Sequence, residues 1–118
     1  MRDTDKVKRG ELDCTCCGRN NVVPVFLEML NEARDISGIP FVINSGCRCK
    51  KHNREVGGSE DSSHIKGLGV DIKCKTNSAR EVVLRALMYV GFTRFGIGKT
   101  YIHVDYDTSK TKHCMWLY

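Results

Sequence analysis

Two windows of this 118-residue chain are long and periodic enough to form helices, and the rest of the fold has to be built around them. Over residues 22–36, Val23, Phe26, Leu27, Leu30 and Ala33 recur at threes and fours, the spacing of one helical face. Pro24 suits the first turn, where a missing N–H costs little, and Gly38 suits the end. Ser78 and Glu81 stand at capping-box spacing before a second window that runs to about residue 90. The other apolar stretches, at 40–44, 70–74, 94–97, 101–106 and 115–118, are short, carry β-branched or aromatic residues, and read as strands. Helices and strands do not alternate regularly, which predicts an α+β domain with a small, mainly antiparallel sheet and two main helices. A second domain would need roughly 100 to 200 residues of its own, so the chain is expected to be one module. Residues 1–13 read as a polar lead-in, residues 14–118 as the domain, and residues 57–63 (GGSEDSS) as a flexible loop.

The strongest chemical signal is SSHIKGLGVDIK at residues 62–73, where His64 and Asp71 sit at the junction of a loop and a strand. Imidazole and carboxylate are both zinc ligands, and three protein ligands with one open position make a catalytic zinc site. A third ligand is available in YIHVDYD at residues 101–107. On a strand there, His103, Asp105 and Asp107 would share one face, because side chains alternate.

These residues resemble the M15-type zinc peptidases, the family of D-Ala-D-Ala carboxypeptidases and of phage and bacterial murein endopeptidases with a hedgehog-like fold. The resemblance rests on Ser62-Ser63-His64-x-x-Gly67-x-Gly69-x-Asp71 followed by His103-Val104-Asp105. It extends upstream to Ser45-Gly46-Cys47-Arg48-Cys49, His52-Asn53 and Val56-Gly57-Gly58. It implies one zinc ion bound by His64, Asp71 and His103 at the sheet, and a substrate in the peptide part of bacterial peptidoglycan. It further implies that Arg48 faces the scissile carbonyl, where a fixed guanidinium can stabilise the oxyanion that develops as water adds to an amide. Gly69 stands where many relatives have alanine. Many relatives also carry an acidic general base three residues before the last zinc histidine, and Thr100 stands there in this chain. Asp105 is the expected substitute, as a general base or as a carboxylate that orients His103; Glu60 and Asp61 are weaker candidates. Thr100 keeps open a catalytically inactive zinc-binding module, and a D,D-dipeptidase or carboxypeptidase acting on soluble wall precursors is a further alternative.

Seven cysteines are many for this length. Cys14, Cys16 and Cys17 cluster, as do Cys47 and Cys49, so either free thiols or a structural zinc at Cys14, Cys17, Cys47 and Cys49 is expected. The opening MRDTDKVKRGELD lacks the apolar centre of a secretory signal. Synthesis in the cytoplasm is therefore expected, and similarity to phage lysis enzymes implies release to the cell wall. No apolar run approaches the roughly 18 residues of a membrane span. A net charge of +5 suits an anionic partner such as the wall. The basic stretches lack interleaved aromatics, so no nucleic-acid partner is expected, and a monomer is. GFTRFGIGKT is not a phosphate loop, because Thr93 replaces its first glycine. His52 and His113 are expected outside the zinc site. Trp116 and Tyr118 can line a groove or close the core.

Overall fold

The computed structural model describes residues 6–118. Helix α1 spans Pro24–Ser37, with Pro24 in its first turn and Gly38, at φ 73°, ending it in the left-handed conformation that only glycine adopts without penalty. Strand β1 (Ile43–Ser45) follows, then a short helix α2 (Lys50–Glu55) and strand β2 (Gly69–Lys73). Helix α3 (Asn77–Val90) leads into β3 (Arg94–Ile97), β4 (Tyr101–Asp105) and β5 (Cys114–Leu117). The strand order is β1-β2-β4-β3-β5, antiparallel throughout except where β5 lies parallel to β3. This is the expected small α+β domain with two main helices.

Alternation along the strands divides the sheet into two working faces. Val70 and Ile72 of β2 and Ile102 and Val104 of β4 are fully buried against Phe26, Leu30 and Ala33 of α1 and Val83, Ala86 and Leu87 of α3. Phe26 and Phe92 meet edge to face at 5.9 Å within this core. The residues between them, Asp71 on β2 and Tyr101, His103 and Asp105 on β4, point away from the helices. A core on one face therefore fixes the register of the polar groups on the other.

Several local expectations are corrected. The cap of α3 is Thr76, whose hydroxyl accepts from the Ala79 N–H at 3.0 Å, and Glu81 pairs with Arg85 instead of closing a capping box on Ser78. Of the expected polar lead-in, residues 1–5 lie outside the described residues. Its remainder forms a 3-10 turn at Arg9–Leu12 and sends Val7 and Leu12 into the core. Two apolar side chains in such a stretch carry no periodicity, which is why the sequence hides them.

Candidate active site

Asp71 and His103 face each other directly across the β2–β4 pairing. His103 Nδ1 is 2.9 Å from Asp71 Oδ1, and His64 Nε2 approaches the same oxygen at 3.3 Å. His64 arrives from the loop before β2, and its Nδ1 lies 2.7 Å from the Gly46 carbonyl. A carbonyl can only accept, so Nδ1 donates to it and Nε2 is the ring nitrogen that faces Asp71 and His103. The donor atoms of the three side chains all lie within 4.8 Å of one another. Burial alone pushes the Asp71 carboxyl up, but hydrogen bonds from His103 and His64 outweigh it and hold the group well below the usual carboxylate range.

Loop geometry delivers His64. Gly67 sits at φ +69°, and a Cβ there would meet the Asn21 carbonyl oxygen at 2.0 Å, so only glycine fits. Its own carbonyl accepts from the Val23 N–H at 3.0 Å, tying the loop to the start of α1. Ser63 Oγ donates to Asp107 Oδ2 at 3.1 Å, and Lys66 Nζ reaches the same oxygen at 2.8 Å. Asp107, just past β4, thereby pins the loop to the strand that carries His103.

Arg48 lies beside this cluster, held on three sides. Its Nε donates to Ser45 Oγ at 3.1 Å, Nη1 donates to Asn53 Oδ1 at 3.3 Å, and Nη2 stands 3.6 Å from Asp71 Oδ2. Its backbone N–H donates to the His64 carbonyl at 3.2 Å. Asn53, buried on α2, also donates from Nδ2 to the Ser59 carbonyl at 2.7 Å. A Cβ at Gly58 would stand 2.1 Å from Asn53 Oδ1, so the second glycine of Val56-Gly57-Gly58 is what lets the loop close over Asn53.

Asp105 is 2 % exposed and engaged at both oxygens. Oδ2 meets His103 Nε2 at 2.9 Å, while Oδ1 accepts from Arg94 Nε at 2.8 Å and from the Asp107 N–H at 3.3 Å. Burial raises its pKa, and His103 and Arg94 more than reverse that, so the carboxyl is held below its ordinary value. His103 is thus flanked by carboxylates at both ring nitrogens; burial opposes its protonation, yet the two partners raise its pKa overall. Arg94 carries no signal in the sequence, since its partner lies eleven residues away on the neighbouring strand.

These groups line one cleft of about 440 Å³, within the range of small-ligand sites, roughly 300–1,000 Å³. Trp116 and Tyr118 form part of its wall, so they line a groove instead of closing the core. Trp116 lies 5.7 Å from the His103 ring, with the Arg94 guanidinium 5.1 Å above its own face. Among the described residues lining the cleft, the carboxylates are Asp71 and Asp105. Thr100 is exposed in the turn before β4, and Glu60 and Asp61 are exposed on their loop; none of the three lines the cleft. His52 and His113 also lie outside it. Cys14, Cys17 and Cys49 converge elsewhere, within 4.8 Å of one another. Cys47 is not with them: its thiol faces Asn20 Oδ1 at 3.9 Å, which corrects the expected set of four.

A small α+β domain with two imidazoles and a carboxylate gathered on the free face of its sheet defines a candidate hydrolytic metal centre. The Peptidase M15 family model matches residues 5–105, and the chain belongs to this family. M15 peptidases are zinc-dependent and act on peptidoglycan peptides. No curated protein matches the chain. Among the described residues, no helix is long and apolar enough to cross a membrane.

Proposed function

We propose that this cleft hydrolyses an amide bond in the peptide part of bacterial peptidoglycan, with one zinc ion held by His64, Asp71 and His103. The observation that carries the proposal is the convergence of these three donor groups, one from a loop and two from paired strands, beside a braced arginine. The donor set fits the ion. Two neutral imidazoles and a carboxylate are zinc ligands, and the Gly46 carbonyl already engages Nδ1 of His64, which leaves Nε2 as the nitrogen facing the site. Bound there, zinc would supply Lewis-acid activation of water and of the scissile carbonyl.

The chain's own groups account for the rest of the chemistry. Arg48 offers N–H donors to the oxyanion that develops as the carbonyl carbon becomes tetrahedral, and its bonds to Ser45 and Asn53 keep it from reorganising when charge appears. Of the two roles open to Asp105, its surroundings favour orienting His103. Both oxygens are engaged, and a carboxyl held below its ordinary pKa is a poor proton acceptor. His103 Nε2 then donates to Asp105 while Nδ1 faces Asp71 and His64. Trp116, Tyr118 and Tyr101 give the cleft an aromatic side against which a peptide chain can lie.

Incubating the zinc-loaded chain with peptidoglycan fragments and identifying new termini by mass spectrometry tests the proposal. A new amine and a new carboxyl terminus at one peptide position are expected, absent when His103→Ala replaces the parent chain. If the zinc-loaded protein cleaves fragments from no wall type, the non-catalytic zinc module becomes the better account. Cleavage of soluble precursors alone would identify the carboxypeptidase alternative.

A further inference from the structure

Outside the cleft, Cys14, Cys17 and Cys49 gather where the N-terminal segment meets the loop that carries Arg48. Cys16, next to Cys17 in the same turn, is exposed beside them. Sulfur atoms of Cys14, Cys17 and Cys49 lie within 4.8 Å of one another. In a tetrahedral thiolate site, zinc–sulfur bonds of about 2.3 Å set sulfurs about 3.8 Å apart, a spacing this group reaches with small side-chain rotations. A disulfide would join two of the sulfurs and leave the others facing an uncharged bridge, whereas one soft cation uses them together. Backbone donors already aim at the sulfurs: the Cys49 N–H reaches Cys14 Sγ at 3.4 Å, and the His52 N–H reaches Cys49 Sγ at 3.3 Å. Such donors favour the thiolate form.

We infer that Cys14, Cys17 and Cys49, with Cys16 as the fourth ligand, hold a structural zinc ion that clips the N-terminal segment to the Arg48 loop. Cys14 is buried, while Cys16 and Cys17 are exposed, so the ion has a side from which to enter. The clip would act on a loop already stitched at both ends. Cys47 N–H donates to the Leu12 carbonyl at 2.8 Å on one side, and Arg48 N–H donates to the His64 carbonyl on the other. A metal bond at Cys49 removes the remaining freedom of the residue next to Arg48. The inference uses only the thiols, and it stands or falls apart from the peptidase proposal.

Cobalt titration of the fully reduced chain tests it, because thiolate ligation gives cobalt intense sulfur-to-metal charge-transfer bands that nitrogen and oxygen ligation does not. In the His103→Ala chain, one equivalent of cobalt should develop these bands, and zinc should displace it. Cys17→Ser and Cys49→Ser should abolish the bands, Cys16→Ser should weaken them, and Cys47→Ala should leave them unchanged. Native mass spectrometry of the unsubstituted chain gives an independent reading should His103→Ala fold poorly: two zinc ions per chain, falling to one in Cys49→Ser. Absence of thiolate bands, their survival in Cys49→Ser, or their loss in Cys47→Ala would overturn the inference. An unchanged spectrum in Cys16→Ser would remove that residue from the ligand set, and a disulfide among the four in freshly purified protein would refute the site.

Discussion

Arg48 is fixed by three neighbours that approach it from different sides. Ser45, Asn53 and Asp71 each take one part of its guanidinium, and the side chain is only 14 % exposed. Lysine at this place keeps the charge and loses the planar fork that satisfies three partners at once. Arg48→Lys is therefore expected to lower kcat by roughly tenfold or more, and Arg48→Ala by about a hundredfold to a thousandfold, with zinc content unchanged in both. Asp105 makes a different prediction, since it acts through His103. Asp105→Asn should weaken zinc affinity by about tenfold to a hundredfold, and added zinc should restore most of the activity; a rate that stays down at saturating zinc would instead mark a general base. His64, Asp71 and His103 are legible in the sequence because they stand in the motifs that carry the resemblance to the M15 peptidases. Arg94 and the loop-pinning role of Asp107 are not, because each acts through a partner that only the β-strand pairing and the loop closure bring near.

At the scale of elements, what could be read and what could not follows the origin of each element's stability. Helices α1 and α3 are held by long apolar faces, so periodicity finds them. Helix α2 reads KKHNRE and has no such face; it is held by the Cys49 thiol accepting from the His52 N–H and by buried Asn53, so the sequence gives no helical signal there. The run at 40–44 becomes a strand only from Ile43, with Phe41 buried and Val42 facing solvent. The loop between α2 and β2 is the element on which the site depends most, and Gly67 is its hinge. Alanine there would combine a left-handed backbone with a collision against Asn21. Gly67→Ala is expected to cost at least about 2 kcal/mol in denaturant unfolding and to lower zinc affinity with it; unaltered stability would mean that the loop adapts without strain.

Across the whole molecule, one sheet separates an apolar half that fixes register from a polar half that carries chemistry, and charge pairs between distant segments hold that polar half together. Asp107 shows the consequence for pH. Burial works against its charge, but Lys66, Ser109 and Ser63 hold its carboxyl well below the ordinary range. Its folded pKa lies under the unfolded value of about 3.9, so its contribution to stability is complete above that pH and is lost as the pH falls through the folded value. Urea midpoints should therefore decline steeply only below about pH 4, and Asp107→Asn should be less stable near neutrality yet decline less on acidification. The central claim, that a loop and two paired strands assemble one metal centre, is tested most directly by the zinc content of the purified chain in a Cys49→Ser background, where the thiol cluster is disabled. One zinc ion per chain is predicted there, lost on His64→Ala, Asp71→Ala or His103→Ala. Full zinc occupancy in the His103→Ala chain would contradict the account.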